Sequence, residues 1–67
     1  MKLKFLIHTP SQAFIHKSWQ MGKEIPFTSN ARSAKEWDNL GDAINVMNKL
    51  KDDGLLDTPE ILARPIL

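Results

Sequence analysis

The sequence predicts one small α+β domain over residues 1–67, in which a three-stranded antiparallel sheet is packed by one main amphipathic helix. The first third of the chain alternates apolar with polar residues, which is typical of half-buried strands. Residues 39–53 instead repeat apolar side chains at the spacing of a helix with one buried face. The chain has 67 residues and no cysteine, so we expect a single domain that no disulfide stabilises.

Three strands are predicted before the helix. The first covers residues 2–8, and the Thr-Pro-Ser-Gln segment after it predicts a turn because proline presets φ. The second strand covers residues 13–19 and pairs antiparallel with the first. The third, shorter strand covers residues 24–28. Pro26 removes one amide from this strand, which predicts a position at the edge of the sheet.

The register of the first hairpin decides which side chains face the helix. Pairing Ile7 with Ile15 places Leu3 opposite Trp19 and buries the larger apolar area, so we favour it. Pairing Ile7 with Phe14 is the alternative, and it exchanges the two faces of the second strand. In either register the outer face keeps large apolar side chains among basic ones. The favoured outer face consists of Lys2, Lys4, Leu6, His8, Phe14, His16 and Ser18.

The main helix is predicted over residues 39–53. Asn39 can cap its first free amides, and Asp42 suits the positive end of the helix dipole. Gly54 is a natural left-handed stop. Before this helix, residues 30–36 predict a short helix.

The C-terminal segment leaves two alternatives open. Thr58-Pro59-Glu60 has the residues of a helix start, namely a threonine cap, proline at the first position and an acid in the first turn. A short helix is therefore expected over residues 58–67, and an extended arm along the sheet edge is the alternative. Ile66 and Leu67 would dock on the domain or reach a neighbouring molecule.

The net charge of +1 conceals an uneven distribution. Residues 1–37 hold six basic and two acidic groups, a charge of +4, whereas residues 38–67 hold three basic and six acidic groups, a charge of −3. Such a division can steer a charged partner or favour head-to-tail self-association, and a chance distribution of few charges explains it equally well. No apolar run approaches the roughly 20 residues of a membrane span. We therefore expect no membrane location and, because cysteine is absent, a cytoplasmic protein.

The sequence contains no arrangement typical of an enzyme. His8 and His16 lie near serines, but no acid that could orient them occurs between residues 1 and 23. Two histidines are also too few for a zinc site, which takes three or four protein ligands. The three glycines are scattered, so they form no phosphate-binding loop. We expect no catalytic residue, no metal and no cofactor.

Protein binding is the function class that fits these features best. A thin sheet with one covering helix leaves apolar side chains exposed, and an edge strand can accept a strand from a partner. A homodimer is compatible with this interpretation. For Trp19, a core position is favoured over a binding role because so small a domain needs aromatic bulk. The candidate partner-binding residues are Leu6, Phe14, His16, Lys17, Trp19, Arg32, Ile66 and Leu67.

The alternative function class is a small nucleic-acid-binding protein. The outer hairpin face combines lysines with Phe14, and a basic groove with stacking rings is typical of single-strand binding. The isoelectric point of about 8.1 lies below the strongly basic values, above about 9, of such domains. The acidic second half would also repel a phosphate backbone. Protein is therefore the favoured partner.

The hairpin strands, the Ala31-x-x-Ala34-x-x-Trp37-x-Asn39 segment and the helix opening at Asp42-Ala43 resemble the layout of short uncharacterised accessory proteins of bacteriophages and bacteria. The resemblance concerns architecture and carries over no catalytic residue. It implies a small protein that binds and modulates or inhibits a host macromolecule, such as a defence enzyme or a transcription factor.

Overall fold

A computed structural model describes residues 2–66 as a four-stranded antiparallel sheet with one helix against one face. The strand order is β3-β2-β1-β4. The predicted α+β class is confirmed, but the predicted sheet is one strand short. The elements are β1 (Lys2–Thr9), β2 (Ala13–Ile15), β3 (Phe27–Thr28), a 3-10 turn (Ala31–Ser33), α1 (Leu40–Asp52) and β4 (Glu60–Ile66).

The additional strand comes from the C-terminal segment, for which the extended alternative is correct. β4 pairs with β1 at every position from Lys2–Ile66 to His8–Glu60. The helix expected to begin at Thr58 is wrong, because Thr58 takes a left-handed φ of 47° and the chain is extended from Glu60. Without β4, the N–H and C=O groups along this edge of β1 would have no partner. A ladder with β4 along the whole strand pairs many more of these groups than a short helix would.

The favoured hairpin register is confirmed close to the turn. Ile7 and Ile15 lie on the same face and both are buried. β2 nevertheless covers only Ala13–Ile15 instead of residues 13–19, so Leu3 does not lie opposite Trp19. The paired residues of β1 and β2 are His8–Phe14 and Thr9–Ala13.

β1 and β2 diverge because another segment of the chain lies between them. Lys35 N donates to Ile15 O over 2.8 Å, which ends the pairing of β2 with β1. Further along, Phe5 and Trp37 exchange backbone hydrogen bonds of 2.8 and 2.9 Å. Residues 33–37 therefore act as an extended insert within the sheet.

This insert also corrects the short helix predicted over residues 30–36. Only one 3-10 turn forms, at Ala31–Ser33, where Asn30 accepts from Arg32 N over 2.9 Å. The following residues are extended because their amides bond to the neighbouring strands. β3 is likewise shorter than the predicted 24–28, but it lies at the sheet edge as Pro26 predicts.

The main helix is confirmed, together with its caps. Asn39 Oδ1 accepts from Gly41 N at 2.7 Å and from Asp42 N at 3.3 Å. At the other end Gly54 has a φ of 76°, the left-handed conformation that stops a helix. The buried residues of the core between α1 and the sheet are Ile7, Ile15, Trp19, Leu50 and Leu56.

The tight turn before β2 stores a local strain that glycine would relieve. Ala13 has a φ of 65°, just after a turn in which Thr9 Oγ1 accepts from Gln12 N. We expect Ala13→Gly to raise the free energy of unfolding by about 0.5–1 kcal/mol in urea titrations, since the left-handed region disfavours a Cβ. Ala63→Gly, the same change in extended β4, should lower it by a similar amount. A loss of stability in both variants would contradict this assignment.

Candidate protein-binding surface

The face of the sheet away from α1, here called the second face, is centred on His8. The His8 and Phe14 rings lie 5.1 Å apart in an edge-on arrangement. His8 Nδ1 lies 3.2 Å from Glu60 Oε1, directly across the strand pair. Leu62 follows on the same face of β4 and is 36% exposed. The second face is therefore a mixed polar and apolar surface.

Leu6, predicted as an exposed anchor on this face, is only 3% exposed. It lies directly opposite Leu62 in the β1–β4 pair. Arg64 on the same face donates to Ala31 O over 3.3 Å, so the 3-10 turn reaches across this side of the sheet. The domain's own chain thus covers a side chain that the helix alone could not cover, and Leu6 is not available to a partner.

Two cations of the second face lie close to carboxylates. One carboxylate belongs to the insert, and the other belongs to the residue that follows it. Lys4 and Arg64 lie directly opposite one another, a like-charge pair that would repel. Lys4 Nζ forms an ion pair with Asp38, and Arg64 Nη1 lies 3.5 Å from Glu36 Oε2. These carboxylates offset the positive charge of the second face, and they would repel a phosphate backbone.

The outer edge of β4 carries the backbone groups that the sheet does not use. Because Phe5 bonds to Trp37 on the far side of β1, its pair with Ala63 in β4 is not hydrogen-bonded. Bonded pairs alternate along an antiparallel ladder, so Leu62 and Arg64 bond inward to β1. The N–H and C=O groups of Ile61 and Ala63 consequently point away from the sheet.

The remaining candidate partner-binding residues lie in different environments. Trp19 is 4% exposed and its Nε1 donates to Lys23 O over 3.0 Å, so it is a core residue rather than a surface anchor. His16 is half-buried, and its Nδ1 accepts from Ser18 N. Leu67 lies outside the described residues. Of the others, Phe14 and Ile66 are half-buried on the second face, and Lys17 and Arg32 are exposed on turns.

Exposed apolar side chains also occur elsewhere. Leu40 and Ile44 lie one turn apart on α1. Met21 and Leu55 line a shallow groove beside Trp19. Neither group adjoins unpaired backbone of a long strand, so both offer side-chain contacts alone.

Within residues 2–66, no group of three or more histidine, cysteine or acidic side chains could hold a metal ion. The described part of the chain also contains no helix with the length and apolar character to cross a membrane. Comparisons with protein-family models, with curated proteins and with solved structures found no match. Residues 2–66 thus form a small α+β domain in which the outer edge of β4 is long and pairs with no other described segment.

The sequence predicted β4 only as the second alternative, an extended arm along the sheet edge. A signal for the strand exists: apolar Ile61, Ala63 and Pro65 alternate with charged Glu60 and Arg64, which is the period of a strand that only Leu62 interrupts. The Thr-Pro-Glu helix signature outweighed this alternation. Pro65 then fits the strand because its position points outward, where no amide is needed.

Proposed function

We propose that this chain is a non-enzymatic protein-binding module that pairs the outer edge of β4 with an extended polypeptide segment. The observation that carries the proposal is the outward direction of the Ile61 and Ala63 backbone groups. Strand addition to a free sheet edge supplies main-chain hydrogen bonds, and side chains beside the edge supply selectivity. Such an edge attracts other chains unless it is covered or blocked.

The side chains next to this edge support a specific contact. Leu62 offers exposed apolar surface on the second face, and Glu60 and Arg64 flank it with opposite charges. An incoming strand would thus meet an apolar centre between an acid and a base. Charge pairs at the rim fix register and partner choice more than affinity.

Nucleic acid is the weaker candidate because two cations of the second face already lie beside carboxylates. Lys4 is paired with Asp38, and Arg64 is near Glu36. The resemblance to short phage and bacterial accessory proteins suggests a host protein as partner, whose activity the module would modulate or inhibit. A cytoplasmic location belongs to the same proposal, since a cysteine-free chain needs no oxidising compartment.

Affinity capture with an edge-blocked variant tests the proposal. Ala63→Pro removes an outward N–H, and Ala63→Val is the matched control because it keeps that amide. We expect the wild type and Ala63→Val to retain one protein from host extract after nuclease treatment, and Ala63→Pro to retain at least ~10-fold less. Circular dichroism would verify that each variant is folded.

Two outcomes would contradict the proposal. Equal retention by all three chains would exclude the β4 edge as the binding surface. Loss of retention after nuclease, with a steep fall in affinity between low and moderate salt, would instead identify a nucleic-acid ligand.

A further inference from the structure

We propose that a second copy of this chain can occupy the β4 edge, as an antiparallel β4–β4 pair with Leu62 on the two-fold axis. This inference rests on the proposed function, because it assumes that the edge accepts a strand. It adds the identity of the incoming strand, which is β4 of a second copy. A two-fold interface must be self-complementary, with residue i facing residue j and residue j facing residue i. The charges along β4 complement one another in one such register.

The prolines decide how many complete bonded pairs each register contains. In an antiparallel pair, outward-pointing residues must face one another. With Leu62 on the axis, Ile61 faces Ala63 of the second copy and both bonded pairs are complete. A pair centred on Ala63 would set Ile61 against Pro65, and one centred on Ile61 would set Ala63 against Pro59. Each of these keeps one complete bonded pair on the axis and, on either side of it, a pair with a single hydrogen bond, because proline has no N–H.

The charges select the register with Leu62 on the axis. With Leu62 on the axis, Glu60 faces Arg64 of the second copy on the second face, twice by symmetry. Glu60 Oε1 is near His8, which leaves its other oxygen for this contact. Both intramolecular contacts of Arg64 use Nη1, and a guanidinium has five N–H donors. Opposite charges directly across a strand pair are favourable.

Side chains on the axis complete the match. Leu62 of one copy meets Leu62 of the other as a non-hydrogen-bonded pair, where side chains approach most closely. The joined sheets would run continuously through β4 of both copies. A pairing of this length buries a small interface, which is typical of a dissociation constant in the ~μM to mM range.

A single cysteine tests the register directly, because the chain has none of its own. Cα atoms of a non-hydrogen-bonded pair lie about 4.5 Å apart, within the range that a disulfide spans. We expect Leu62→Cys to form at least ~10-fold more disulfide dimer under mild oxidation than Ala63→Cys. The two Ala63 positions are offset by two residues, about 6.8 Å along the strand, and cannot be bridged.

Sedimentation equilibrium on the cysteine-free chain completes the test. The wild type should approach twice its 7.6 kDa as concentration rises, and Ala63→Pro should raise the dissociation constant at least ~10-fold over Ala63→Val. A monomer at every concentration, or equal crosslinking of the two cysteine variants, would overturn self-pairing. Retention of a host protein that Ala63→Pro abolishes would still support the proposed function, so the two failures are distinguishable.

Discussion

Leu50→Ala is expected to lower the free energy of unfolding by about 2–5 kcal/mol, the usual loss for a leucine truncated in a packed core. Leu50 is 2% exposed and belongs to the cluster formed with Ile7 and Trp19. Natural domains are stable by about 0.05–0.15 kcal/mol per residue, so a chain of 67 residues has about 3–10 kcal/mol in total. Leu50→Ala should therefore remove a large part of the total stability of the domain.

Urea titration followed by circular dichroism measures this loss, and Leu55→Ala is the matched control. Leu55 is 51% exposed, so its truncation should change stability by less than about 0.5 kcal/mol. Equal losses in the two variants would contradict the assignment of the core to the α1 side of the sheet.

A proline comparison along β4 should give the second large effect. Leu62 N–H bonds inward to β1, so Leu62→Pro removes a ladder bond and should destabilise the domain by at least about 2 kcal/mol. Ala63 N–H points outward, so Ala63→Pro should cost less than about 1 kcal/mol, as edge positions tolerate proline. The measurement is again urea unfolding.

Leu62→Ala separates the side-chain effect from the backbone effect in this comparison. The side chain of Leu62 is partly exposed, so this control should lose less than Leu62→Pro does. If Ala63→Pro were the more damaging substitution, the backbone groups of Ile61 and Ala63 would be the ones that bond to β1. The outward groups of Ile61 and Ala63, and both proposals, would then be wrong.

The parts of the fold that local chemistry determines could be predicted. Asn39 and Gly54 mark the two ends of α1 in the sequence, because caps and left-handed stops act within a few residues. Pro26 indicated an edge strand for the same reason. The core positions of Ile7 and Ile15 followed from period-two alternation and the choice of register with the larger buried area.

The parts that depend on distant segments could not be predicted. The sequence of β2 does not encode its divergence from β1, because the hydrogen bond that ends the pairing comes from Lys35. The C-terminal strand forms because β1 lacks a partner, and Thr58-Pro59-Glu60 alone favours a helix. In both segments, pairing of backbone N–H and C=O groups with distant strands therefore determines the conformation more strongly than the local sequence does.

The candidate surface changed for a related reason. Leu6 was expected to be exposed because one helix covers only one face of a sheet. Arg64 and the turn at Ala31 reach the other face from segments far away in sequence. The surface proposed for binding is consequently the unpaired edge of β4 beside Leu62, and not an apolar face of the sheet.

Amide hydrogen exchange followed residue by residue by NMR tests the central claim, a free outer edge of β4 that accepts a strand, most directly. At low protein concentration the amides of Leu62 and Arg64 should be protected, while those of Ile61 and Ala63 exchange freely. Protection at Ile61 and Ala63 should then appear when a binding strand, including a second copy, is present at high concentration. Strong protection of Ile61 and Ala63 in the dilute monomer would contradict the account, because the edge would already be covered.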